Sequence, residues 1–161
     1  MSQNANGLKG LETLRTFLEE DGWHPRESKK DTIFFAKYSG RNGRFSCEAR
    51  LRVEAEIFLF YVNAPVAAPQ SKRLIVAEYL TWVNFGMRIG NMEMDMRDGE
   101  IRYKSSLDFQ DEKLTRTWLR NSISAAVITM DRYLPGLLAI LNDDKSAAQA
   151  HADVKGNKSK S

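Results

Sequence analysis

A chain of 161 residues has room for one domain and a terminal extension. With 42% hydrophobic and 28% charged residues it can bury a sizeable core under a solvated surface, and its net charge of +3 is too small to mark a nucleic-acid-binding protein. The single cysteine excludes an intrachain disulfide, and no apolar run approaches the roughly 18 residues of a membrane span.

Leu8 to Glu20 reads as a first helix, with Leu8, Leu11, Leu14 and Leu18 at helical spacing and Asp21-Gly22 as its stop. Trp23 to Asp31, broken by Pro25, reads as a loop or a short irregular edge strand. Ile33 to Tyr38 is a strand, and Ser39 to Gly43 is a turn. Within the turn, Gly40-Arg41-Asn42-Gly43 has the GxxG form of an RNA-gripping loop, but here it joins strands rather than helices. Arg44 to Val53 alternates: Phe45, Cys47, Ala49, Leu51 and Val53 on one face, Ser46, Glu48, Arg50 and Arg52 on the other. Cys47 therefore reads as a buried structural thiol. Ile57 to Val62 is continuously apolar, which predicts a central strand covered on both faces.

Asn63 to Gln70, with Pro65 and Pro69, is a connector, and Ser71 is a candidate cap for a second helix over Lys72–Phe85. That helix is apolar almost all round, so it should be buried on more than one side. One side can face the sheet; the other needs a second subunit, another helix or a ligand. Met92, Met94 and Met96 alternate with Glu93, Asp95 and Arg97, and Ile101, Tyr103 and Ser105 with Arg102 and Lys104. With Asp98-Gly99 between them, these predict a hairpin closed by a two-residue turn. Asp108 or Asp111 caps a last helix, Leu114 to Leu141, with a kink or break expected near Tyr133–Pro135. The expected division is a single domain over 1–141 and a polar tail over 142–161, partly or wholly disordered.

Residues able to carry chemistry are sparse. His24 and His151, the only histidines, have no Cys, His or carboxylate at ligand spacing, so neither metal nor cofactor is expected. The carboxylate pairs Glu19-Glu20, Glu54/Glu56 and Glu93/Asp95 read as solvated charges, the last facing Arg102 and Lys104 across the hairpin. No catalytic residue is assigned. Met1 to Gly7 lacks the pattern of a secretory signal, so the cytoplasm is the expected location.

The order α-β-β-β-α-β-β-α is an α+β arrangement, an antiparallel sheet flanked by helices, and it is similar to the fold of class I type III secretion chaperones. Asn84 to Leu141 resembles the YbjN family of bacterial proteins. The resemblance is carried by Leu80–Asn84, by Gly90-Asn91-Met92-Glu93-Met94-Asp95 with Asp98-Gly99-Glu100-Ile101-Arg102-Tyr103, and by Asp131-Arg132-Tyr133-Leu134-Pro135-Gly136-Leu137. It implies a non-enzymatic regulator or chaperone-like protein, usually a homodimer that binds extended segments of protein partners. The sequence shows no secretion-system context, so the transport role itself is not carried over, and with no long apolar run no membrane partner is expected. The dimer contact of such folds usually involves the second helix and the strands after it. Together with the surplus apolar side of that helix, this gives an expected self- or partner-binding set of Leu74, Ile75, Tyr79, Trp82, Val83, Phe85, Met92 and Met94. The alternative reading is a nucleic-acid-associated regulator using a basic strand face at Arg41, Arg44, Arg50 and Arg52.

Overall fold

The alternating strands assemble into one antiparallel sheet because each carries an apolar face that only a shared core can cover. The computed structural model describes residues 4–28, 30 and 32–157. In chain order it contains α1 (Ala5–Glu20), β1 (Arg26–Ser28), β2 (Ile33–Ser39), β3 (Arg44–Arg52), β4 (Ile57–Ala67), a 3-10 turn (Gln70–Lys72), α2 (Arg73–Phe85), β5 (Asn91–Met94), β6 (Glu100–Asp108), α3 (Arg116–Asp143) and α4 (Ala147–Gly156). The sheet order is β1-β2-β3-β4-β6-β5, so β1 and β5 are its edges. The expected α+β class and helix-flanked antiparallel sheet are what the chain adopts, with an edge strand and a C-terminal helix added.

The helices pack on one face of the sheet. Phe34, Phe45, Cys47, Ala49, Leu51, Phe58, Phe60, Val62, Ile101 and Tyr103 are buried beneath them, with Leu14 and Phe17 of α1, Val76 and Tyr79 of α2, and Leu119, Ile123 and Met130 of α3. Polar groups crossing this layer satisfy each other: the buried hydroxyls of Ser105 and Ser122 lie 2.6 Å apart. Burial pushes the Cys47 thiol up to about 12, the behaviour of an inert structural cysteine. α3 is long and apolar enough to cross a membrane by composition, but half of its most apolar window is buried in this core.

Several sequence expectations are corrected. β4 is central, but only one of its faces lies under helices. On the other, the guanidinium groups of Arg102 and Arg50 cover the Tyr61 ring at 4.4 and 5.3 Å. β4 also runs on to Ala67 through Pro65, which is accommodated where the register with β6 shifts between Asn63 and Ala67. Ser71 lies in the 3-10 turn and caps nothing, whereas Thr115, rather than Asp108 or Asp111, caps α3 by accepting the Trp118 N–H at 3.2 Å. The hairpin is closed by a four-residue loop rather than a two-residue turn: the Asp95 N–H reaches the Glu100 carbonyl at 2.9 Å, and Gly99 sits at φ +81°.

α3 passes through Pro135 unbroken. A proline leaves the carbonyl four residues earlier without its helical donor. That carbonyl belongs to Asp131, and the side-chain amide of Asn42 donates to it at 2.9 Å. The Asp131 carboxylate meanwhile accepts the Arg41 and Asn42 backbone N–H groups at 3.0 and 2.7 Å. Gly40-Arg41-Asn42-Gly43 is thus a β2–β3 turn docked onto α3. Two residues on, the Tyr133 carbonyl accepts the Tyr79 hydroxyl at 2.9 Å, and Gly136 leaves room for that ring: a Cβ there would lie 2.1 Å from the Tyr79 oxygen. The Asp131–Leu137 motif is therefore a joint between α3, α2 and the β2–β3 turn.

Within the polar tail, expected to be partly or wholly disordered with some helical propensity as far as Ala152, residues 147–156 form a packed helix, α4. Ser146 caps it by accepting the Gln149 N–H at 3.2 Å, and its small side chains Ala147 and Ala150, with His151 and Val154, pack against α2 and α3.

Candidate protein-contact surface

On α2, Val76, Tyr79, Leu80 and Val83 point into the core, so Leu74, Glu78, Trp82 and Phe85 point out. Phe85 is 96% exposed, Leu74 79% and Trp82 48%. Of the residues predicted for this surface, Leu74, Trp82 and Phe85 lie on it, and Ile75 and Met94 are half-buried. Tyr79, Val83 and Met92 are core residues with no surface to offer, a correction to the expected set. Ile89 and Met96 are exposed beside it and were missed. The Met96 carbonyl accepts Arg73 Nη1 at 3.1 Å, which sets the hairpin loop against the start of α2.

The rest of the second apolar side of α2 is covered by α4. The His151 ring lies between Trp82, at 5.7 Å, and Tyr133, at 6.3 Å. Its Nε2 is buried and has no partner among the described residues. Burial, with Lys155 and Arg132 adding positive charge, holds its pKa below the ordinary imidazole range. A depressed histidine pKa favours folding while the ring is neutral, so its contribution is complete above the ordinary pKa near 6.5 and is lost as pH falls through the lowered one. Acidification from pH 7.5 to 5 should therefore loosen α4 before the sheet. Amide exchange resolved by residue checks this: residues 147–156 should lose protection first in the native chain, and a His151→Phe variant should keep it.

The edge strand next to α2 is partly closed. The Asn84 side chain accepts the Met92 N–H at 2.8 Å and donates to the Met92 carbonyl at 2.9 Å, taking the place a pairing strand would occupy. On the open face, Glu93 binds Arg102 at 2.6 Å and Lys104 at 2.8 Å, the cross-strand pairing expected from the sequence. Burial opposes ionisation of Glu93, but the bonds from Lys104 and Arg102 outweigh it and hold its pKa below the usual range. The Asp95 carboxyl, hydrogen-bonded by the Arg97 side chain and backbone, is lowered to about 2. General acid catalysis needs a carboxyl pushed the other way.

The predicted basic strand face is not one cluster. Arg50 is paired with Glu48 at 2.6 Å, while Arg44 and Arg52 lie at opposite ends of β3, about 26 Å apart at ~3.3 Å per residue. Arg41 is in the docked turn.

A family model named YbjN, described as "Putative bacterial sensory transduction regulator", matches residues 10–139. Among solved structures, YbjN from E. coli is similar at 19% identity and TM-score 0.58, covering 75% of this chain and 88% of that one. The ExsC-ExsE complex matches at 12% identity and TM-score 0.56, covering 80% and 92%. The HopA1-SchA chaperone-effector complex matches at 16% and TM-score 0.50, covering 77% and 91%. At these identities the likeness is one of fold. No curated protein matches the sequence. α4 lies beyond the matched residues.

Proposed function

Since the chain belongs to the YbjN family, we propose that it is a non-enzymatic, chaperone-like or regulatory protein-binding module that pairs with a second copy of itself through the exposed side of α2. The observation that carries the reading is the stripe of Leu74, Trp82 and Phe85 left uncovered after the sheet, α3 and α4 have taken every other side of that helix. Large aromatic and aliphatic side chains are costly to leave in water, at ~25 cal/mol per Å² of apolar surface, and such clusters are typical of contact sites. One of the solved structures with this fold is a chaperone-effector complex, which supports protein partners here. Methionines at the rim, Met94 and Met96, suit a surface that accepts more than one partner.

A Leu74→Asp/Phe85→Asp variant removes the stripe without touching the core. Immobilised native protein should retain specific proteins from an extract of its own cells, and the variant should lose them. The same set retained by both would rule out α2 as the contact for those proteins; self-contact through α2 is read separately, from the mass of the chain in solution.

A further inference from the structure

The β5 edge is partly closed by Asn84 at Met92, and the other end of the sheet offers a further open edge. β1 pairs with Ile33–Phe35, so the outer edge of β2 from Ala36 to Ser39 has no strand partner among the described residues. The chain is turned away from it at His24, a non-glycine residue at φ +46°, followed by Pro25. The Gly40 N–H bonds the Gly43 carbonyl at 2.8 Å; by alternation from that pair, Tyr38 bonds inward to β3, and Lys37 and Ser39 aim their backbone groups at the open edge.

Two grooves flank this edge, and Trp23 and Lys37 line both. On the helix-free face lies one of about 490 Å³, where Arg26 lies over the Phe35 ring at 4.6 Å. Arg26, Lys37 and neighbouring Arg44 are exposed and make no ion pair among the described residues, and the nearby carboxylate of Glu48 is already engaged by Arg50. On the helix side lies one of about 360 Å³, lined by Tyr38, Val127 and Ile128, the last 60% exposed. Successive side chains of an added strand point to opposite faces.

We propose that β2 takes an extended segment of a partner protein alternating acidic and apolar residues, its backbone paired with Lys37 and Ser39. Its carboxylates lie toward Arg26, Lys37 and Arg44, and its apolar side chains lie toward Ile128. This deepens the protein-binding reading and rests on it, but it uses a surface separate from α2.

The test is fluorescence anisotropy of the full chain with a labelled peptide of about nine residues alternating glutamate and leucine, about 30 Å when extended. The comparison probes are an alternating lysine–leucine peptide, a peptide of the same glutamate and leucine content in two blocks, and a single-stranded DNA of equal length. The glutamate–leucine peptide should bind best, weaken with salt, and protect the Lys37 and Ser39 amides from exchange. Arg26→Glu/Lys37→Glu/Arg44→Glu should weaken it by about tenfold or more, since each surface pair contributes up to ~1 kcal/mol and a decade is 1.4 kcal/mol. Ile128→Asp should weaken it separately. All four positions are exposed, so thermal melting should be unchanged. No binding, equal binding of the lysine, block or DNA probe, survival of the triple reversal, or unprotected Lys37 and Ser39 amides would each overturn the site. Failure here with capture still dependent on Leu74 and Phe85 would refute this edge alone.

Discussion

Gly99→Ala is expected to destabilise the fold by about 2–4 kcal/mol. Two costs add. At φ +81° an L side chain pays roughly 1–2 kcal/mol for left-handed backbone. A Cβ would also lie 1.9 Å from the Ala68 carbonyl oxygen, a backbone atom that cannot rotate aside. The two segments are held at this distance by the Ala68 N–H bond to the Gly99 carbonyl, 2.9 Å, so relieving the clash weakens that bond as well. Gly22 provides the control, with φ +78° and nothing within 4 Å of an added Cβ. Gly22→Ala should cost only the backbone part, about 1 kcal/mol. Urea unfolding midpoints of the two variants separate strain from collision, and equal shifts would mean that the hairpin loop does not press on Ala68.

Asp131→Ala should cost about 2–4 kcal/mol, large for a partly exposed side chain. It removes the charged acceptor from two backbone N–H groups, each such bond contributing ~1.5 kcal/mol or more. It also frees the β2–β3 turn from α3 and leaves Asn42 as the one remaining polar tie. Asp131→Asn keeps one acceptor oxygen and should cost roughly half as much. Denaturant unfolding measures both, and faster amide exchange confined to Gly40–Gly43 should accompany the loss. A cost under about 0.5 kcal/mol would show that the turn is held by the strands alone.

Period-two alternation made β3, β5 and β6 legible, because each has one wet face and one dry face. What was not legible depends on distant partners. Pro135 signals a broken helix until Asn42, far back in the chain, is seen to supply the missing donor. Asp98-Gly99 signals a two-residue turn, but the fit of Gly99 against Ala68 selects a longer loop. The packing of α4 is hard to read because half of its buried stripe is alanine, too weakly apolar to stand out from a polar tail. For the contact surface, the all-round apolar character of α2 shows that one side is surplus, but not which one. Tyr79 and Val83 look as available as Leu74 and Phe85 until the fold buries the former pair, Tyr79 with its hydroxyl on the Tyr133 carbonyl of α3.

Self-contact through the uncovered side of α2 is tested most directly by light scattering across a concentration series to tens of micromolar. The expected mass approaches twice the 18.4 kDa of the chain, reverting to a single chain in Leu74→Asp/Phe85→Asp with its melting temperature preserved. A native protein that stays at the single-chain mass throughout would contradict self-contact through α2.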